Sequence, residues 1–170
     1  MIHNSGGDLL LEEYARHRRD LTDPKCSALE IEAREFKPIP GGDYHLTMRL
    51  ESVSSKEKIY GMGQYQQDSL DLKGHDLELA HRNSQASVPF ALSSLGYGLL
   101  WNNPAIGRAV LGKNVMSFEA YSTKVLDYWI VWIHSDLNKL EMLIVPGCRG
   151  YSRRDRGSLR PRNRSGTYDA

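Results

Sequence analysis

A chain of 170 residues is long enough for one domain with its own core, and too short to add a second domain of ~250 residues. The formal charge of +1 argues against a polyelectrolyte partner for the whole chain, although it hides a split: residues 148–170 hold seven Arg and two Asp, leaving residues 1–147 at −4. Cys26 and Cys148, the two cysteines, stand far apart in unlike surroundings, which indicates neither a disulfide framework nor a thiolate metal site and sets a reducing compartment as the expectation. Residues 1–5 lack the basic start and continuous apolar stretch of a secretory signal, and no apolar run approaches the ~20 residues that cross a bilayer. The expectation is a soluble, cytoplasmic protein with no membrane partner, an incomplete N-terminus being the one thing that would hide a signal.

In chain order, Leu9-Leu10-Leu11 is a short apolar run, and the charged stretch from Glu12 to Asp20 predicts a loop or an exposed turn of helix. Residues 28–36 alternate over part of their length and meet Pro38 and Pro40, which predicts a strand, with helix as the rival because Ala, Leu and Glu also favour it. Gly41-Gly42 opens the clearest strand, from Asp43 to Ser52. Tyr44, Leu46, Met48 and Leu50 fall on one face there, and His45, Thr47, Arg49 and Glu51 on the other. Gly61-Met62-Gly63 invites comparison with a phosphate-binding loop, but no Gly-Lys-Ser/Thr follows and no helix opens, so it reads as a structural turn. His75 and His81 flank Asp76 and Glu78, yet six residues of strand separate the histidines too widely for a shared ion, and no metal or cofactor is assigned.

The segment from Val88 to Trp101 predicts a hairpin turning at Leu95–Gly98, with Pro89 at a strand start or on an edge because it has no N–H for the ladder. Short strands follow at 108–111, 115–121 and 125–133, punctuated by Pro104, Gly107, Gly112 and Asn114. Many short strands with hardly a helical period predict an all-β antiparallel sandwich, and there are no internal repeats. Tyr60, Tyr65, Tyr97, Trp101, Tyr121, Tyr128, Trp129 and Trp132 could offer a stacking platform for the ring of a ligand. Most lie on predicted strands and read as core, with Tyr65 and Tyr97 as the exposed candidates.

Six short elements then stand in one order: Tyr60-Gly61-Met62-Gly63, Leu72-Lys73-Gly74, Glu78-Leu79, Pro89-Phe90, Gly96-Tyr97-Gly98 and Leu126-Asp127-Tyr128-Trp129. One such tripeptide means nothing; six in sequence resemble the N-terminal, galactose mutarotase-like β-sandwich of glycoside hydrolase family 31, particularly its α-xylosidases. The stretch from about Asp8 to Phe36 is similar to the segment just upstream in fungal members. The resemblance implies a sandwich core over residues 43–131, upstream strands and loop over 1–42 that are partial and leave unpaired edges, and no catalytic residue, because the two carboxylates that cleave α-linked sugars with retention belong to a barrel beyond the sandwich. The implied partners are α-linked xylosides or glucosides in a full-length context, and that barrel. The resemblance further implies that the loop after the Glu-Leu strand helps shape the leaving-group side of the sugar site. That places His81, Arg82 and Asn83 as the substrate-binding candidates, Asn83 standing at or next to a position where the family often has Asp. An uncharged amide suits hydrogen bonds to sugar hydroxyls and not proton transfer. Ordinary polar loop residues are the plainer reading for any one of them.

After residue 131 the family pattern breaks, and the text it should continue with returns when the possible codons of residues 148–170 are read one base later. The expectation is that residues 132–147 translate a retained intron or equivalent insertion and that 148–170 are linker sequence read out of frame, a disordered basic tail. The Arg-rich run at 152–164 resembles an RNA-binding or nuclear-targeting segment, but frame-shifted G/C-rich sequence yields the same residues, so no nucleic-acid partner is assigned. The predicted function is that of a non-catalytic N-terminal domain of a retaining α-glycosidase, inactive alone; a free-standing carbohydrate-binding sandwich is the alternative, and RNA binding through the tail a more distant one.

Overall fold

The computed structural model describes residues 1–3, 7, 9–14, 31–132 and 145–146. Twelve strands form among them: β1 (Ile2–His3), β2 (Leu9–Glu13), β3 (Arg34–Pro38), β4 (Tyr44–Glu51), β5 (Ile59–Gln64), β6 (Asp76–Leu79), β7 (Ala86–Ser93), β8 (Tyr97–Trp101), β9 (Gly107–Leu111), β10 (Val115–Thr123), β11 (Tyr128–Trp132) and β12 (Val145–Pro146). They make two sheets, one running β1-β2-β4-β10-β9-β6 with β3 also on β4, the other β12-β11-β8-β7-β5. Every pairing is antiparallel, and the described residues include no helix. The architecture is the all-β sandwich that the strand pattern predicts.

Period-two alternation builds the core. Leu46, Met48 and Leu50 on β4 stand opposite Ala120, Phe118 and Met116 on β10. Ala109 and Leu111 on β9 and Leu77 and Leu79 on β6 continue that buried face. The second sheet answers with Tyr97, Leu99 and Trp101 on β8 and with Tyr128 and Ile130 on β11, all buried. Trp101 stacks on Phe118 across the two sheets, ring centroids 5.7 Å apart. Apolar area removed from water in this way is the main favourable contribution to folding.

β2 and β3 share the remaining edge of β4. Glu12 and Glu13 pair at its Glu51–Leu50 end, and Arg34 to Pro38 pair along Met48 to Tyr44. Where they meet, Arg34 is ion-paired to Glu13, and the Tyr128 hydroxyl donates to the same carboxylate at 3.3 Å, tying the edge to the opposite sheet.

The loop or helix turn expected from Glu12 to Asp20 begins later, because Glu12 and Glu13 close β2, and four more local expectations shift. The strand expected over 28–36 is β3, which lies later and includes Pro38 at its end; residues 28–30 lie outside the described residues. The predicted turn at Gly61–Gly63 is part of β5, because three successive residues at positive φ (93°, 62° and 97°) form a bulge and keep the chain in the sheet. Pro89 lies inside β7, opposite that bulge, where the ladder needs no donor from it. The turn joining β7 to β8 is Ser94-Leu95-Gly96, so Tyr97 opens β8 instead of standing in the turn. In the C-terminal stretch, the β12 backbone pairs with Trp129 and Ile130 of β11; residues 133–144 and 147–170, which carry the rest of the tail expectation together with Cys148, lie outside the described residues, as does Cys26.

Candidate functional site

β6 alternates Asp76 and Glu78 outward with Leu77 and Leu79 inward, and the chain then crosses from the edge of the first sheet to β7 in the second. The crossing is a tight turn. The Arg82 and Gln85 backbones exchange two N–H to C=O hydrogen bonds of 3.2 Å, leaving Asn83 and Ser84 at the tip. Gln85 Nε2 donates to the Ala80 carbonyl at 3.4 Å. Arg82 forks Glu78, Nε to Oε2 and Nη2 to Oε1 both at 2.7 Å, and these hydrogen bonds hold the Glu78 carboxyl below the ordinary carboxylate range and the guanidinium above its own.

Of the three substrate-binding candidates, Arg82 is therefore committed to Glu78. His81 and Asn83 are exposed and make no side-chain hydrogen bond among the described residues. The Asn83 amide leaves both its donor and its acceptor open to solvent. Asp76, on the same outer face, is forked by Arg108, with Nε to Oδ1 at 2.7 Å, which lowers its pKa. Among the described residues no group of three His, Cys, Asp or Glu is placed to hold a metal ion.

The base of the turn is gripped by β5. Gly63 and Gln64 pair with Ser87 and Ala86. A Cβ on Gly63 would collide with the Ala86 carbonyl and come 2.7 Å from the Val88 nitrogen, and one on Gly61 would lie 2.6 Å from the Phe90 oxygen. Only glycine permits this approach. Met62 between them sits at φ 62° and is fully buried, held in a conformation unfavourable for its type by the packing around it. Just beyond, the Tyr65 hydroxyl donates to the Glu78 carbonyl at 2.9 Å and lies 2.8 Å from Ser87 Oγ, so one group ties both legs of the crossing. Of the two tyrosines expected to be exposed, Tyr65 is half-buried and Tyr97 is 2% exposed. Tyr97 opens a strand whose first side chain faces the core, which removes it as a sugar platform.

Beside the crossing, Tyr65, Gln66, Gln67, Glu78, Arg82 and Gln85 border an open depression of about 210 Å³. A second polar cluster lies elsewhere, at the end of the sandwich, and sequence reasoning missed it. Glu57 is 3% exposed. One carboxylate oxygen accepts from Ser93 Oγ and the Tyr97 hydroxyl, both at 2.6 Å, the other from Ser52 Oγ at 2.5 Å and Lys73 Nζ at 2.6 Å. Burial pushes this carboxyl up, but the four donors together hold it below the ordinary range. Burial and then the Glu57 charge push the Tyr97 phenol far up. Lys73 is aimed by the Leu-Lys-Gly step, where Asp71 Oδ1 accepts from the Ile59 and Lys73 backbones at 3.1 Å.

A two-sheet antiparallel sandwich with a polar turn crossing between its sheets defines the class of domain, a scaffold that presents a loop. Residues 2–108 match the glycosyl hydrolase 31 N-terminal galactose mutarotase-like domain, and the chain belongs to that family. It is 57% identical over 137 residues to a family 31 glucosidase, ORF2, of Pseudescherichia vulneris, covering 76% of this chain and 26% of that protein. It is 33% identical over 147 residues to an α-xylosidase of Saccharolobus solfataricus, covering 77% and 18%. Among solved structures, a GH31 α-xylosidase from a soil metagenome complexed with xylose superposes with a TM-score of 0.70 at 53% identity, covering 78% of this chain and 20% of that one. The chain thus spans about a quarter or less of the length of these relatives.

Proposed function

We propose that this chain acts as the N-terminal sandwich of a retaining α-glycosidase of the α-xylosidase type: it supports a catalytic barrel and lends that barrel's sugar site the turn at residues 80–87. The observation that carries the reading is the 53% identity to an α-xylosidase with bound xylose over only 20% of that chain. Substrates are α-linked xylosides or glucosides, no cofactor enters, and the compartment is the cytosol. Asn83 and His81 contribute hydrogen bonds to sugar hydroxyls, Arg82 stays braced on Glu78, and none of the carboxylates described above acts as nucleophile or general acid.

The test is hydrolysis of an aryl α-xyloside by the purified chain, alone and in place of the matching fifth of the soil-metagenome enzyme. Hydrolysis only by the joined protein is the expected result. Turnover by the chain alone would place the chemistry in this sandwich and overturn the reading.

A further inference from the structure

The two sheets differ on their outer faces. Outward residues of the first are charged and paired with one another: Arg108 with Asp76, His45 with Glu119 and Arg49 with Glu35. That is the pattern of an antiparallel sheet with one face in water. The second sheet turns apolar residues outward as well as inward. Along β7 the buried Ser87, Ala91 and Ser93 alternate with Val88, Phe90 and Leu92, and Val88 is 51% exposed. Phe90 stands opposite Leu100 and Leu100 opposite Trp129, so an apolar row crosses β7, β8 and β11, and Tyr60 of β5, opposite Leu92, extends the face. Gly98 has no side chain there, and the Phe90 ring lies 2.6 Å from where its Cβ would stand, which flattens the surface. No charged residue occurs in β7, β8 or β11. The two sheets account for every described strand, leaving none to cover this face. A sheet that is apolar on both sides is built to be buried on both.

Area decides between the candidate occupants. Four strands ~4.8 Å apart and ~20 Å long present roughly 400 Å², about half of the ~800 Å² per partner that a stable association of separate chains buries. A second copy of this chain would be held too weakly to stay. A domain tethered on the same polypeptide meets the face at an effective concentration of about a millimolar and needs no larger contact. The relatives have room for one, since this chain spans 26% of the Pseudescherichia vulneris protein and 20% of the soil-metagenome α-xylosidase.

We infer that the outer face of the second sheet is the docking surface for the domain joined to this one, which under the proposed function is the catalytic barrel. β7 leaves the turn at residues 80–87 and carries Val88 and Phe90 directly onto the face, so the contact that covers them also seats the turn at its rim. The identity of the docked domain rests on the proposed function; the burial of this face does not.

The test is the rate at which a thiol reagent labels Leu100→Cys, read by peptide mass spectrometry in the chain alone and in the chain joined to the soil-metagenome barrel. Ser117→Cys, on the outer face of the first sheet, is the control. Labelling at position 100 is expected to slow about tenfold or more on joining, and at position 117 to stay as it was. Val88→Cys, at a half-exposed position, is the second variant if Leu100→Cys unfolds the chain. Equal rates at position 100 in both forms would overturn the docking, as would slowing at position 117 instead. Slowing in the chain alone as its concentration rises would assign the face to a second copy and overturn it too. Labelling does not read hydrolysis, so a protected face in a joined protein that leaves α-xyloside uncleaved would support the docking and count against the proposed function alone. Cleavage with an unprotected face would do the reverse.

Discussion

Two ion pairs of nearly equal length do opposite things in this molecule. Glu57 and Lys73 meet at 2.6 Å with side chains 1% and 6% exposed, while Glu78 and Arg82 meet at 2.7 Å with side chains 42% and 61% exposed. Burial decides the difference. A buried pair must be completed by further donors, and Ser52, Ser93 and Tyr97 complete Glu57 from the residue following β4, from β7 and from β8 respectively, so the pair joins both sheets. An exposed pair is screened by water and adds little to stability; what it fixes is the orientation of one side chain at a turn. The sandwich is thus locked at the Glu57 end and left free to present polar groups at the crossing.

Breaking the buried pair should have the largest effect. Glu57→Ala leaves the Lys73 ammonium buried without a counter-charge and should cost about 3–5 kcal/mol, read from the urea midpoint, whereas Glu57→Leu/Lys73→Met should recover the part due to the unpaired charge but not the part due to the Ser93 and Tyr97 hydroxyls, which lose their acceptor. A loss for Glu57→Ala no larger than that of a surface substitution would refute the lock. The same pair sets a pH dependence. The Glu57 pKa is lowered in the folded state, so its stabilisation is complete above the ordinary value of 4.5 and is lost as pH falls through the lower folded value. Wild-type stability should therefore drop more steeply than that of Glu57→Leu/Lys73→Met between pH 5 and 3.

Gly63→Ala comes next. Its φ of +97° and the collision with the Ala86 carbonyl predict a loss of about 1–3 kcal/mol or more, together with displacement of the turn. Tyr65→Phe removes one hydroxyl from the Glu78 carbonyl and Ser87 and should cost about 0.5–1.5 kcal/mol, with faster hydrogen exchange at residues 80–87 as the sharper readout. Smallest of all, Arg82→Ala should leave the unfolding midpoint where it is.

β4 was legible because its alternation is unbroken from Tyr44 to Leu50, and β7–β8 because Gly96 separates two apolar runs. β5 was misread as a turn: Gly61-Met62-Gly63 lacks strand propensity and owes its place to a bulge that only the partner strand reveals. The Glu57 cluster was hidden for a different reason. Lys56-Glu57-Lys58 has the pattern of a solvated charge run, and the partners Lys73, Ser93 and Tyr97 lie 16, 36 and 40 residues away. At the candidate site, family resemblance supplied His81, Arg82 and Asn83, but which of them is spent on a neighbour depends on the geometry of the crossing.

The most direct test of the contrast between a locked end and a presenting end is Asn83→Ala in the chain joined to the α-xylosidase barrel, measured for both unfolding midpoint and kcat/KM on an α-xyloside. An unchanged midpoint with kcat/KM reduced about tenfold, the worth of a lost hydrogen bond in the transition state, is the predicted result. An unchanged kcat/KM, or a loss of stability comparable to that of Glu57→Ala, would contradict the account.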